Sequence, residues 1–181
     1  MATQAQVDEL LAKMAEERAA LLDAVSGIAE EDADIRPPEG EGEAGWSVKE
    51  QLSHLAEMET SYRAWVQRAL TEDRPDVTEG TTSDPVDIPH AQAHTADLER
   101  HVAELRRQRE RTLEVVAAIP LAGYERTAST RIFGELTVLQ WLRSYYRHDR
   151  MHAAQITGRQ SDYVPRWAEG QGEPQRATRV D

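Results

Sequence analysis

The sequence predicts an all-α protein, a four-helix bundle with long crossover connections. Three observations carry that expectation. Four segments repeat apolar residues at intervals of three and four, the period of a helix with one buried stripe. Three of the four open on a capping-box pattern. Two connections, residues 27–45 and 71–89, are long, polar and rich in helix breakers, which allows crossovers rather than simple up-down hairpins. The chain has no internal repeat.

The first helix spans about Thr3 to Ser26, with Val7, Leu10, Leu11, Met14, Leu21, Leu22 and Val25 on its stripe. Thr3 with Gln6 caps it, and Gly27 stops it. RPPEGEGEAG, residues 36–45, cannot continue a helix. The second helix starts at Ser47, because SVKE reads as a capping box, and carries Val48, Leu52, Leu55, Met58, Tyr62, Trp65 and Ala69. Residues 71–89 have turn chemistry and no period. The third helix lies within residues 90–119, with Leu98, Val102, Leu105, Leu113, Val116 and Ile119 on one side and Pro120 after its end. Residues 124–133 are β-prone and alternating, which suits a small hairpin or an extended link. The fourth helix begins near Thr137, where TVLQ forms a capping box and Leu136 and Trp141 hold the staple positions, and ends at Gly158. These elements define a bundle domain over residues 1–158. The polar tail, residues 159–181, is expected to wrap the surface or to be disordered.

Composition narrows the function. A formal net charge of −12 argues against binding a nucleic-acid backbone or an anionic membrane surface. No apolar run approaches the roughly 18 residues that span a bilayer, and the first residues do not read as a signal peptide. The expectation is an acidic cytoplasmic protein. With no cysteine, a tightly bound transition metal must use His, Asp or Glu. No phosphate loop, H-E-x-x-H or G-x-S-x-G is present.

The histidines carry the chemistry. In SYYRHDRMHAAQIT, residues 144–157, His148 and His152 stand four apart. At about 100° per residue, Trp141, His148, His152 and Ile156 fall within roughly 60° of Tyr145. Both imidazoles therefore point inward, a turn apart, and can converge on one ion. Two hydrogen-bonded core histidines are the competing reading. His54, on the inward edge of the second helix, is a third ligand candidate. Three histidines and an open position are the layout of a catalytic site, since the free position takes water or substrate. His90, His94 and His101 form a rival group on a weakly apolar face and read as surface or interhelical hydrogen bonding, with His94 and His101 near the line through Leu98 and Leu105 and His94 the member to watch. Glu57 and Asp149 are expected to face solvent or to accept a hydrogen bond from a ligand's outer N–H. The chain has no Glu-x-x-His, which argues against a di-iron centre. Tyr62, Trp65, Trp141 and Tyr145 are expected to line a substrate pocket, with plain core packing as the competing reading.

Two stretches, GWSVKEQLSHLAEME (Gly45 to Glu59) and RHDRMHAAQITG (Arg147 to Gly158), together with FGELTV before the last helix, resemble the DinB-like (DinB/YfiT) superfamily of bacterial four-helix-bundle metalloproteins. The resemblance covers roughly residues 5–158. It implies a divalent metal, zinc or nickel, held by three histidines, which fall here on His54, His148 and His152. It also implies a homodimer acting on a small-molecule substrate, with a low-molecular-weight thiol cosubstrate in an S-transfer reaction. A metal-dependent hydrolase, or a non-catalytic metal- or small-molecule-binding bundle, is the alternative.

Overall fold

A computed structural model describes residues 1–163 of the chain; the expectation for the tail falls largely on residues 164–181, outside them. Four long helices dominate: α1 (Gln4–Ser26), α2 (Val48–Thr71), α3 (Leu98–Ala118) and α4 (Val138–Ile156). Their starts sit where the caps place them. Thr3, Ser47 and Thr137 each accept from the backbone N–H three residues on, and Gln6, Glu50 and Gln140 return the bond to the cap's own N–H. Asp97 caps α3 through Arg100 N–H at 2.9 Å. The helix α4 ends at Ile156, and Gly158 two residues on, with a φ of +66° that suits glycine, turns the chain away.

The main packings are α1 on α4, α4 on α2 and α2 on α3. Consecutive α2 and α3 pack directly, whereas α1 and α2, and α3 and α4, are not main neighbours, so the first connection and the link that carries the hairpin cross over. Residues 90–95 form a separate 3-10 turn before α3, so His90 and His94 are not on that helix. A two-stranded hairpin precedes α4: β1 (Thr127–Thr130) pairs antiparallel with β2 (Gly134–Thr137), Ala128 opposite Leu136. The expected hairpin span thus held its first strand only, and the second lies in GELT. Pro75 and Val77, in the second connection, bond to Ser129 at 2.9 and 2.8 Å and tie that connection to the hairpin.

The core has two apolar layers. One contains Val7, Leu10, Met14, Tyr62, Val66, Val116, Leu139, Trp141, Leu142 and Tyr145. The other contains Leu21, Val25, Leu52, Leu55, Ala56, Leu105 and Ala153. Burial of each of the larger side chains contributes about 1.5–3 kcal/mol. Leu11 and Leu113, expected on the stripes, are exposed instead. Leu113 lies about 80° round the helix from Leu105, whereas Arg109 and Thr112 lie within about 40° of it and take the buried positions.

Between the two layers sits a ring of ions, one residue from each helix: Arg18, Glu59, Arg109 and Asp149, all buried. Arg18 grips Asp149 with two bonds of 3.0 Å and donates to Glu59 at 2.7 Å. Arg109 donates to Glu59 at 2.7 Å and to Asp149 at 2.9 Å. The guanidiniums also donate to the backbone carbonyls of Leu105 and Met14 on neighbouring helices. Two cations face two anions, so the ring is neutral and its donors are satisfied, the condition under which buried charge is tolerated. Burial alone would raise the Glu59 carboxyl, but Arg109 and Arg18 outweigh it and hold that group at about 2. Asp149 is therefore neither solvent-facing nor bonded to a ligand histidine, contrary to the expectation from its place between His148 and His152. Two guanidiniums, from α1 and α3, claim it.

Candidate metal centre

At the α2–α4 contact, three imidazoles converge. His54 comes from α2; His148 and His152 come from consecutive turns of α4. Their Nε2 atoms lie 3.2 Å apart for His54 and His148 and 3.1 Å apart for His152 and His148. All three residues are buried. The helical phase is the cause on α4, where His148 and His152 share a face with buried Trp141 and Tyr145.

The first connection adds a fourth donor. Glu43, in a 3-10 turn at Gly42–Gly45, places Oε1 3.3 Å from His54 Nε2. Its Oε2 lies 3.7 and 3.6 Å from Nε2 of His148 and His152. One donor atom from each of Glu43, His54, His148 and His152 lies within 4.8 Å of all the others. Ligands about 2.0–2.1 Å from a tetrahedral ion are about 3.3–3.4 Å from one another. The observed separations bracket that edge, and nitrogen with carboxylate oxygen is a donor set that zinc and nickel accept. The four residues fit one divalent ion.

The protonation pattern fits as well. Gln51 Nε2 donates to the Trp46 carbonyl at 3.1 Å, which turns Gln51 Oε1 toward His152 Nδ1 at 2.9 Å. The His152 proton then belongs on Nδ1, and Nε2 presents its lone pair to the centre. Trp46 packs edge-on against His54, with centroids 5.0 Å apart, and fixes that ring in turn. Glu43, Trp46 and Gln51 thus link the first connection to the histidines.

Beside His148 lies a small cavity lined by Arg18, Leu55, Glu59, Tyr62, Tyr145, His148 and Asp149. It connects the histidines to the ion ring. The Tyr145 hydroxyl is buried with no hydrogen-bond partner among the described residues, and burial pushes its pKa well above 10, so it stays protonated. Tyr62, Trp65, Trp141 and Tyr145 do come together, in one aromatic cluster with centroids 5.1–6.3 Å apart. Tyr62 and Tyr145 reach the cavity; Trp141 is fully buried in the core.

Of the rival histidines, His90 lies beside the site, its ring centroid 6.4 Å from that of His54, and the other two do not join the cluster of donors. His101 is a satisfied core residue, with Nδ1 3.3 Å from Ser53 Oγ and Nε2 2.9 Å from the Ala93 carbonyl. His94 is exposed. The His90 ring stacks on Trp46 at 4.4 Å, and its backbone N–H donates to Glu57 at 2.8 Å, which accounts for that carboxylate. Glu43 had no signal in the sequence, because Glu39, Glu41 and Glu43 alternate with glycine and look alike. The ring did have one: Arg18, Glu59 and Arg109 are charged residues standing on apolar stripes.

A family model described as the DinB superfamily matches residues 7–156. No curated protein matches the sequence. Among solved structures, YfiT from Bacillus subtilis, described as a probable metal-dependent hydrolase with an unusual four-helix bundle topology, is similar at 22% identity and a TM-score of 0.66, with 87% of each chain covered. That similarity is one of fold. No helix of the described residues is long and apolar enough to cross a membrane.

Proposed function

The chain belongs to the DinB superfamily, and on that premise we propose that it is a divalent-metal-dependent hydrolase of a small-molecule substrate, with His54, His148 and His152 as the metal ligands. One observation carries the reading: three buried Nε2 atoms and the Glu43 carboxylate converge at the separations of a single coordination shell. An ion held there would supply Lewis-acid polarisation and acidify a coordinating donor group.

The chain's own residues do the rest. Gln51 keeps the His152 proton on Nδ1. Trp46 orients His54. The ring of Arg18, Glu59, Arg109 and Asp149 pins the four helices against one another and so fixes where α4 presents its two histidines to α2. Tyr62 and Tyr145 shape the apolar side of the approach beside His148, and bulk water is kept from the buried imidazoles. The bundle over residues 1–158 carries this whole arrangement.

Transfer of a low-molecular-weight thiol is the finer reading that the resemblance in the sequence supports. It uses the same site and differs in the nucleophile; the description of YfiT supports hydrolysis. Zinc and nickel suit the donor set equally.

The test is metal analysis of tag-free protein, followed by assay of the loaded chain against activated ester, amide and lactone probes, with and without a small thiol. The wild type should take up about one ion per chain, and His148→Ala should lose it. Thiol-dependent turnover would select the transfer reading. A wild type that takes up no metal on titration overturns both. Light scattering on the same samples checks the homodimer that the resemblance implies.

A further inference from the structure

We propose that Glu43 is an internal fourth ligand, which closes the metal site at rest and is displaced by an anionic donor group of the substrate. The inference rests on the reading of His54, His148 and His152 as ligands and concerns how that site is opened.

Glu43 differs from the other three donors in its footing. The histidines stand on long helices, with side chains 0–11% exposed. Glu43 stands on a single 3-10 turn that has no buried residue, and its side chain is 16% exposed. Solvent can therefore reach this ligand first. The turn's backbone bonds, Gly40 to Pro37, Ala44 to Glu41 and Trp46 to Glu43, close on the loop itself. Both ends of the loop are anchored: Arg36 pairs with Glu50 at the start of α2, and the Trp46 carbonyl accepts from Gln51. The segment between the anchors is glycine-rich. Gly42 holds φ at +54°, and Gly40 packs so closely on the Ala44–Gly45 backbone that a Cβ there would come within 2.5 Å of it. The turn touches α4, but its backbone bonds stay within the loop, so the carboxylate can swing away without unpacking a helix.

Charge decides what replaces it. Three neutral imidazoles leave both charges of a divalent ion uncompensated in a buried site, and uncompensated buried charge is costly. The Glu43 carboxylate removes one of them. A displacing group that is itself anionic leaves the net charge of the site unchanged, whereas a neutral one raises it. The geometry therefore selects substrates that present a carboxylate, a thiolate or a comparable small anionic donor.

The experiment uses the full tag-free chain with Co2+ as the probe ion. Wild type, E43A and the isosteric E43Q are compared by ligand-field absorption, by Co2+ competition with a chromophoric chelator, and by titration of the loaded protein with acetate and azide. Circular dichroism of each protein checks the fold, and E43Q carries the test if E43A does not fold. Loss of the carboxylate should change the ligand-field spectrum and weaken Co2+ binding at least about tenfold, the lower end of what losing even an outer partner of a ligand costs. Acetate and azide should bind the variants more tightly than the wild type by a similar factor. Three proteins with one spectrum, one Co2+ affinity and one acetate affinity overturn the inference and leave the three-histidine reading standing. A wild type that binds no Co2+ overturns that reading, and the inference with it.

Discussion

Glu59→Gln isolates the ion ring at the smallest cost in shape. The native carboxylate accepts from Arg18 Nη2 and Arg109 Nε at 2.7 Å each, and from Arg109 Nη2 at 3.4 Å. The amide keeps one acceptor and turns an NH2 group toward guanidinium donors. The ring also changes from neutral to one net positive charge, with Arg18, Arg109 and Asp149 still buried. Breaking a buried ion pair on one side costs about 3–5 kcal/mol. Titration offers a second route to the number. The Glu59 carboxyl is held at about 2, against an ordinary value of about 4.3, and roughly two units correspond to about 3 kcal/mol. The two figures agree in size. Because the folded value is the depressed one, this stabilisation is fully present above about pH 4.3 and is lost as pH falls toward about 2. In a chain of this size the substitution should lower Tm by about 6–20 °C. The assay is urea unfolding of metal-free protein at pH 7, followed by circular dichroism, with Glu135→Gln as control. Glu135 pairs with Arg74 at the surface, and its loss should cost less than about 1 kcal/mol. The gap between wild type and Glu59→Gln should also narrow as the pH is lowered from about 4.3 to about 2. A Glu59→Gln protein within about 1 kcal/mol of wild type at pH 7 would refute the view that the ring holds the helices together.

Three further outcomes follow from the site and its supports. Gln51→Leu removes the acceptor for His152 Nδ1 and should weaken Co2+ binding by about 10- to 100-fold in a chelator competition; unchanged affinity would show that the Gln51 bond does not set the tautomer. Gly40→Ala places a Cβ 2.5 Å from the Ala44 carbonyl, so chemical denaturation should show a loss of about 1–3 kcal/mol, and the Co2+ spectrum should move with Glu43. Thr137→Ala removes the N-cap of α4 and should cost about 1 kcal/mol in urea unfolding. Since α4 stays packed on α1 and α2, Co2+ affinity should be unchanged.

Much of the architecture was legible in the sequence because it depends on local rules. The caps at Thr3, Ser47 and Thr137 act within three residues, so their positions could be read directly. The inward phase of His148 and His152 follows from helical geometry, and His54 could be placed on the facing helix in the same way. The errors share a cause. Leu11 and Leu113 matched the three-and-four rule yet lie exposed, because each stands at the edge of its stripe, about 80° round the helix from Leu21 and Leu105 respectively, while Arg18 and Arg109 are buried. A charged residue on an apolar stripe reads as an interruption until its partners are known. The partners of Arg18 are 41 and 131 residues away in the chain.

By itself, then, the sequence determined four helices, the caps of three of them, their buried faces and three histidines able to meet between α2 and α4. Tertiary structure alone decided which long connection returns to the site and what it brings. Glu43 reaches the histidines because the Gly40–Gly45 turn folds back on itself between two anchors, and nothing in GEGEAG separates Glu43 from Glu41. It likewise decided that Asp149 belongs to the ion ring and not to its neighbouring histidines. Both outcomes depend on which distant atoms come within hydrogen-bond range, and that range is set by the packing of four helices, not by spacing along any one of them.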